Sequence, residues 1–357
     1  MAHYRNLVFK GGGVRGIAYL GALQYLYEHN YMQHVERVAG TSAGAITALA
    51  TALNLGSFDE LKRISDSLDF RKVPAEEDER SIRNNPPRLI ALTDRYRELA
   101  LFKNLQCSMR LVQEKGWYSS DYFYKWLRAL IAGQFAVEKE FYTFADFRDA
   151  SLHRDGREFL NLYVTGTDIT NRMARVFSFE TTPEMEVALA VRISMSIPLF
   201  FEAIEYQYPG TDSPQLYADG GVMWNYPVNI FDEPRFGRLQ ENGINQETLG
   251  FFIFTSPDRT HYKPVKNMID YVSALFESLL LVQEHLTATG EKNFGRTVFI
   301  DDCGVRPTDF DIDTRDDRYA ALFESGYEAT KDFFSAKTDW ASFFRGLRAR
   351  LGWKEIG

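Results

Sequence analysis

Twice within the first 53 residues, a short apolar run ends in glycine and gives way to a helical pattern. Residues 6–9 (NLVF) run into Gly11-Gly12-Gly13. Ile17, Leu20, Gly21, Leu23 and Leu26 then recur near helical spacing to about residue 30. Residues 35–39 lead into Gly40-Thr41-Ser42-Ala43-Gly44, and an Ala- and Leu-rich helix follows to about Leu53. Strand, glycine turn and helix, repeated at once, are the signature of a parallel sheet covered by helices. The expected fold class is therefore α/β.

The rest of the chain extends this reading. Residues 56–135 are expected to be a helical insertion, with a polar, proline-containing connection at 74–88. Strands are expected at 159–168, 174–179 and near 215–218, with a helix at 184–193. The uninterrupted apolar run 249–255 (LGFFIFT) reads as a fully buried strand. Long helices are expected at about 265–292 and 318–335. No linker, repeat or low-complexity tract divides residues 1–357, so one catalytic domain is expected, ending in C-terminal helices over about 265–357.

Composition narrows the function classes. Lys and Arg number 41 against 49 Asp and Glu, a net charge of −8. A general nucleic-acid binder needs excess positive charge along a face, and an anionic membrane would have to meet a local patch. The two cysteines, Cys107 and Cys303, make no disulfide framework, and a reducing compartment is the simpler setting. The opening MAHYRNLVFKGGG lacks the apolar run of a signal peptide. The expected location is cytoplasmic or peripheral at membranes; export by a route that reads no such signal stays compatible. The richest apolar stretch carries Arg192, so no membrane span is expected.

Three motifs carry chemistry. Gly40-x-Ser42-x-Gly44 joins a strand abruptly to a helix and leaves the serine at the positive helix end, where developing negative charge is favoured. A tight turn that merely contains serine is the competing reading. Gly11-Gly12-Gly13-Val14-Arg15-Gly16 offers backbone N–H groups to negative charge. It suits an oxyanion hole, but it also satisfies the GxGxxG fingerprint of a dinucleotide-binding oxidoreductase. That fingerprint wants an acidic residue at the end of the second strand, and Glu36 stands at its beginning. Asp219-Gly220-Gly221 places a carboxylate at a strand end. It serves as a base only if it is desolvated and near the serine; alone, the tripeptide is more often a turn.

In order and spacing, GGGVRG, GTSAG and DGG resemble the patatin-like phospholipases. The segments 162–171, 177–183, 191–198 and 219–228, the last with Asn225 and Pro227, extend the resemblance over about residues 5–230. It implies a three-layer α/β/α sandwich with a mostly parallel sheet. It implies a Ser–Asp dyad, with Ser42 as nucleophile and Asp219 as base. Gly11, Gly12 and Gly13 would form the oxyanion hole, with Arg15 and Gly16 completing that loop and Gly40 and Gly44 shaping the elbow. The implied substrate is a phospholipid or lysophospholipid, cleaved through an acyl-enzyme without metal or cofactor. A protein of this fold that binds lipid without catalysis, or only with an activator, is the alternative.

Other sites fit less well. A Ser–acid–His triad would need His261 or His285, and it would leave the glycine loop without a role. The stretch 308–318 begins like a calcium loop with Asp309, Asp311 and Asp313, but Thr314 and Ala320 stand where Gly and Glu are required. Two segments suit a lipid surface. One is the face formed by Trp340, Phe343, Phe344, Leu347 and Leu351 beside Arg345, Arg348 and Arg350. The other is 86–117, with Arg88, Arg95, Arg97, Lys103 and Arg110.

Overall fold

The computed structural model describes residues 3–73, 115–256, 264–265, 268–289 and 291–335. The polar connection at 74–88, both basic candidate surfaces apart from residues 115–117, Cys107 and His261 lie outside the described residues.

The first two strands are β1 (Asn6–Phe9) and β2 (Arg37–Gly40), joined through α1 (Ala18–Glu28). After α2 (Ala43–Ala52) and α3 (Phe58–Ser65) come the short β3 (Gly116–Tyr118) and α4 (Asp121–Ala132). Next are β4 (Asn161–Asp168), β5 (Met173–Phe177), α5 (Val187–Ser194), β6 (Leu199–Phe201), β7 (Ile204–Tyr206) and β8 (Gln215–Asp219). The chain continues through β9 (Thr248–Phe254), α6 (Met268–Thr289), β10 (Thr297–Asp301) and α7 (Asp317–Phe334).

Strands β10, β9, β1, β2 and β4 lie side by side and all run parallel. β5 and β8 pair antiparallel with β4, and β7 antiparallel with β8, so the sheet is mixed but mostly parallel, as expected. β3 and β6 form a separate two-stranded sheet. The strand β3 falls inside the region read as a helical insertion, and β6, β7 and β10 were not foreseen.

Alternate strand residues feed two cores, the consequence of the two-residue period of a strand. Leu7, Phe9, Val38, Leu162, Val164, Phe251, Ile253 and Val298 face the larger core, which α1, α2, α5 and α7 cover. Val8, Ala39, Tyr163, Phe252, Phe254 and Phe299 face the smaller one. There the cover includes Tyr226, Val228, Ile230, Phe231 and Phe236, from irregular chain. The buried Arg296 holds this cover, donating to both Asp232 carboxylate oxygens at 2.6 Å and to the Asn245 carbonyl at 3.2 Å. On the other face, α1 and α7 pack backbone to backbone. A Cβ on Gly21 would overlap the Phe323 carbonyl, and one on Gly326 the Ala18 carbonyl.

Candidate active site

The site forms where two strands meet end to end. Val164 of β4 pairs with Gly40 on one side and with Phe177 of β5 on the other. Two residues on, Gly166 pairs with Arg175 of β5 and with Asp219. Since β5 takes one edge from Val164 to Asp168, β2 and β8 share the opposite edge, with their C-terminal ends facing. Backbone pairing alone thus brings the turn after Gly40 to the end of β8.

That turn is tight. Ser42 adopts φ 54°, ψ −125°, a conformation that L-residues rarely occupy and that costs of order 1–3 kcal/mol. The flanking glycines permit it: a Cβ on Gly40 would overlap the Gly44 carbonyl, and one on Gly44 would overlap the Phe9 carbonyl. Ser42 N–H donates to Ser194 Oγ at 2.9 Å. Thr41 Oγ1 lies 2.6 Å from Thr165 Oγ1 and donates to the Trp224 carbonyl at 3.0 Å. Ser42 itself is buried, at 8% exposure.

Asp219 is fully buried. Its Oδ1 accepts the Gly221 N–H at 2.6 Å, while Oδ2 has no aligned hydrogen-bond partner. Burial pushes its pKa up to about 7, against the lowering effect of the neighbouring Ser42 hydroxyl and the Gly221 N–H. A carboxylate in that range exchanges a proton near neutrality, which an exposed aspartate does not do.

The glycine loop lies beside both residues. A Cβ on Gly11 would approach Ser42 Cβ to 3.2 Å and overlap Asn225 Oδ1. The Gly11 N–H is committed to the Asn225 carbonyl at 3.0 Å, and Val14 N–H to the Pro307 carbonyl at 3.0 Å. Between them, the Gly12 and Gly13 N–H groups have no acceptor among the described residues. Arg15 braces the loop from behind: its Nε donates to the Gly12 carbonyl at 3.1 Å, and Nη1 to the buried Asp302 at 3.1 Å. Gly16 lies against Ala43, where an added Cβ would stand 3.2 Å from that of Ala43.

Other candidates do not converge. Glu36 precedes β2, at the strand end away from the glycine loop, and pairs there with Arg5 and Arg37. Asp309, Asp311 and Asp313 pair separately with Arg306, Arg318 and Arg71. Among the described residues, no three His, Cys, Asp or Glu side chains gather as metal ligands. No described helix is long and apolar enough to cross a membrane.

Two neighbours escaped the sequence reading. Ser194 receives the Ser42 N–H from the end of α5. Gln283 on α6 accepts the Asn225 N–H at 3.0 Å and donates to the carbonyls of Gly221 (2.7 Å) and Val222 (3.1 Å). The only trace of Gln283 in the sequence is a single polar residue closing the apolar run LLLV.

The chain belongs to the patatin-like phospholipases, whose family description matches residues 7–232. Uncharacterized protein YqhO of Bacillus subtilis (strain 168) is 30% identical over 94% of this chain and 99% of its own length. "Probable lipid hydrolase 463L" of Invertebrate iridescent virus 6 is 23% identical over 64% of this chain and 63% of that protein. The fold is similar to the crystal structure of VipD from Legionella pneumophila. That match has a TM-score of 0.54 and 17% identity, over 94% of this chain and 67% of that one.

Proposed function

We propose that this protein is a lipid acyl hydrolase of the phospholipase A or lysophospholipase type, working through Ser42 and Asp219. The observation that carries the reading is the buried Asp219 carboxylate, raised to about 7 and lacking a partner on Oδ2, beside a serine on a strained turn. Asp219 takes the proton of Ser42 as Oγ attacks the acyl carbonyl carbon. The Gly12 and Gly13 N–H groups, and the positive end of α2, stabilise the oxyanion. Gly11 is the point of close approach, its own N–H already used. Collapse of the tetrahedral intermediate breaks the ester C–O bond, and the Asp219 proton passes to the departing alkoxide. Water, deprotonated by Asp219, then attacks the acyl-enzyme, releasing the fatty acid and restoring the Ser42 hydroxyl. The family supports a lipid substrate.

The test is labelling with a fluorophosphonate, mapping of the modified residue by mass spectrometry, and assay of fatty-acid release from phospholipid vesicles. Modification of Ser42, with release abolished in Ser42→Ala and Asp219→Ala, is the expected result. Release retained by purified Ser42→Ala would overturn the mechanism. Labelling without release would point to a different lipid or a required activator, and no labelling would favour the lipid-binding alternative.

A further inference from the structure

A cavity of about 210 Å³ opens directly beside the elbow. Its near end is formed by Gly13, which carries one of the two N–H groups, by Gly16 on the same loop, and by Ala43, which follows Ser42. From there it follows matched faces of two helical segments. Gly13, Gly16, Ile17 and Leu20 line one wall, and Ala43, Ile46, Thr47 and Ala50 the other, each at helical spacing. Trp126 of α4 closes part of a third side.

The chemistry of the walls selects an apolar occupant. The near half is glycine, alanine and branched aliphatic side chains. The ionic groups at the far end are already paired: Asp66 with Lys62 and Tyr319, Asp69 with Arg71, and Asp313 with Arg71 and Arg315. Thr47 Oγ1 donates to the Ala43 carbonyl, and Trp126 Nε1 to Ser67 Oγ. A charged or hydrogen-bonding headgroup would have to break these pairs, whereas a hydrocarbon chain displaces only water.

We infer that this cavity holds the fatty-acyl chain of the substrate and sets its length preference. The inference rests on the acyl-hydrolase reading above and deepens it. The ester carbonyl sits at the Gly12 and Gly13 N–H groups, the acyl chain runs between α1 and α2, and the alcohol part stays outside this cavity.

The test separates the cavity from the chemistry. Ser42→Ala protein is titrated with 12-bromododecanoic acid, whose bromine quenches a nearby indole, and Trp126→Phe in the same background removes the reporter. Saturable quenching that falls by at least half in the Trp126→Phe protein is expected. Quenching unchanged by Trp126→Phe, or no binding, would overturn the assignment without touching the reading of Ser42. In the active protein, Ala50→Leu and the more accessible Thr47→Phe fill the cavity. Both are expected to lower kcat/KM for p-nitrophenyl dodecanoate at least tenfold while leaving the butyrate ester within about twofold. An equal loss on both esters, or on neither, in a variant with wild-type circular dichroism would sink the inference. A wild-type protein that cleaves neither ester, yet shows Trp126 quenching, would defeat the hydrolase reading and leave the apolar site standing.

Discussion

Gly40 and Asp219 occupy the same edge of β4, paired with Val164 and Gly166, two residues apart. They are far apart in the chain and arrive from strands of opposite direction. One β4 segment, Val164-Thr165-Gly166, serves as the ruler between them. Thr165 adds a side-chain link to Thr41, and its carbonyl and hydroxyl fill the space that a Cβ on Gly220 would need. The proposed nucleophile and base are therefore held together by sheet register, and the predictions below follow from that arrangement.

The first concerns pH. Asp219 must be ionised to accept the Ser42 proton, so kcat/KM is expected to rise through about pH 7 and then level off. A pH–rate profile on a soluble ester checks this. A rise centred near 4 would mean that Asp219 titrates like an exposed carboxylate.

Stability carries the opposite sign. The folded-state pKa of Asp219 is raised, so the folded state holds this proton more tightly than the unfolded chain. The resulting stabilisation is complete below about pH 4 and is lost as pH climbs through about 7. Asp219→Asn removes that loss, of order a few kcal/mol. Its Tm is expected to exceed that of the wild type at pH 8, with the gap closing toward pH 4. Calorimetry at several pH values decides the matter.

Ser42 stores backbone strain that glycine would relieve. Ser42→Gly and Ser42→Ala are both expected to abolish hydrolysis. The glycine variant should nevertheless be the more stable of the two by about 1 kcal/mol, the relief outweighing the entropy cost of glycine. Chemical denaturation of the pair measures the difference, and equal midpoints would argue against strain at the elbow.

Gly11 and Gly12 should respond differently to alanine. At Gly11 the new methyl displaces Asn225 and crowds Ser42, whereas at Gly12 its nearest neighbours lie at 3.5–4.0 Å. Gly11→Ala is expected to cut activity by about 100-fold or more, the scale of shifting a reacting group by about an ångström. Gly12→Ala should stay within about tenfold. Steady-state kinetics on the two folded variants tests the contrast.

Gln283 is expected to act as a positioning residue. Gln283→Ala releases the Asp219–Asn225 turn on one side. It should lower kcat about tenfold with little change in KM, at a stability cost of about 1–2 kcal/mol. A change confined to KM would place Gln283 outside this role.

What the sequence revealed, and what it did not, divides along physical lines. The strands β1 and β9 were legible because buried parallel strands read as apolar runs, and β2, RVAG, because it ends in the glycine elbow. β10, TVFID, is no shorter than β1, but its flanking Gly295 and Gly304 stand apart from it and no helical pattern follows directly. β3 is shorter and becomes a strand only by pairing with β6, more than eighty residues later. Gly11, Gly40 and Gly44 stood out because close approach leaves no room for a side chain there. Ser194 and Gln283 did not, because each matters only for the backbone atoms that tertiary packing sets beside it.

The end-to-end meeting of β2 and β8 also has a consequence in time. A chain still lengthening on the ribosome gains Ser42 and the glycine loop early. It lacks β8 until about 170 residues beyond Ser42 have been made, and the carboxylate stays in water until that strand docks on β4. On the proposed mechanism, a nascent or truncated chain ending before Asp219 carries a serine without its base. On that mechanism, attack on a lipid ester becomes possible only when this part of the sheet closes.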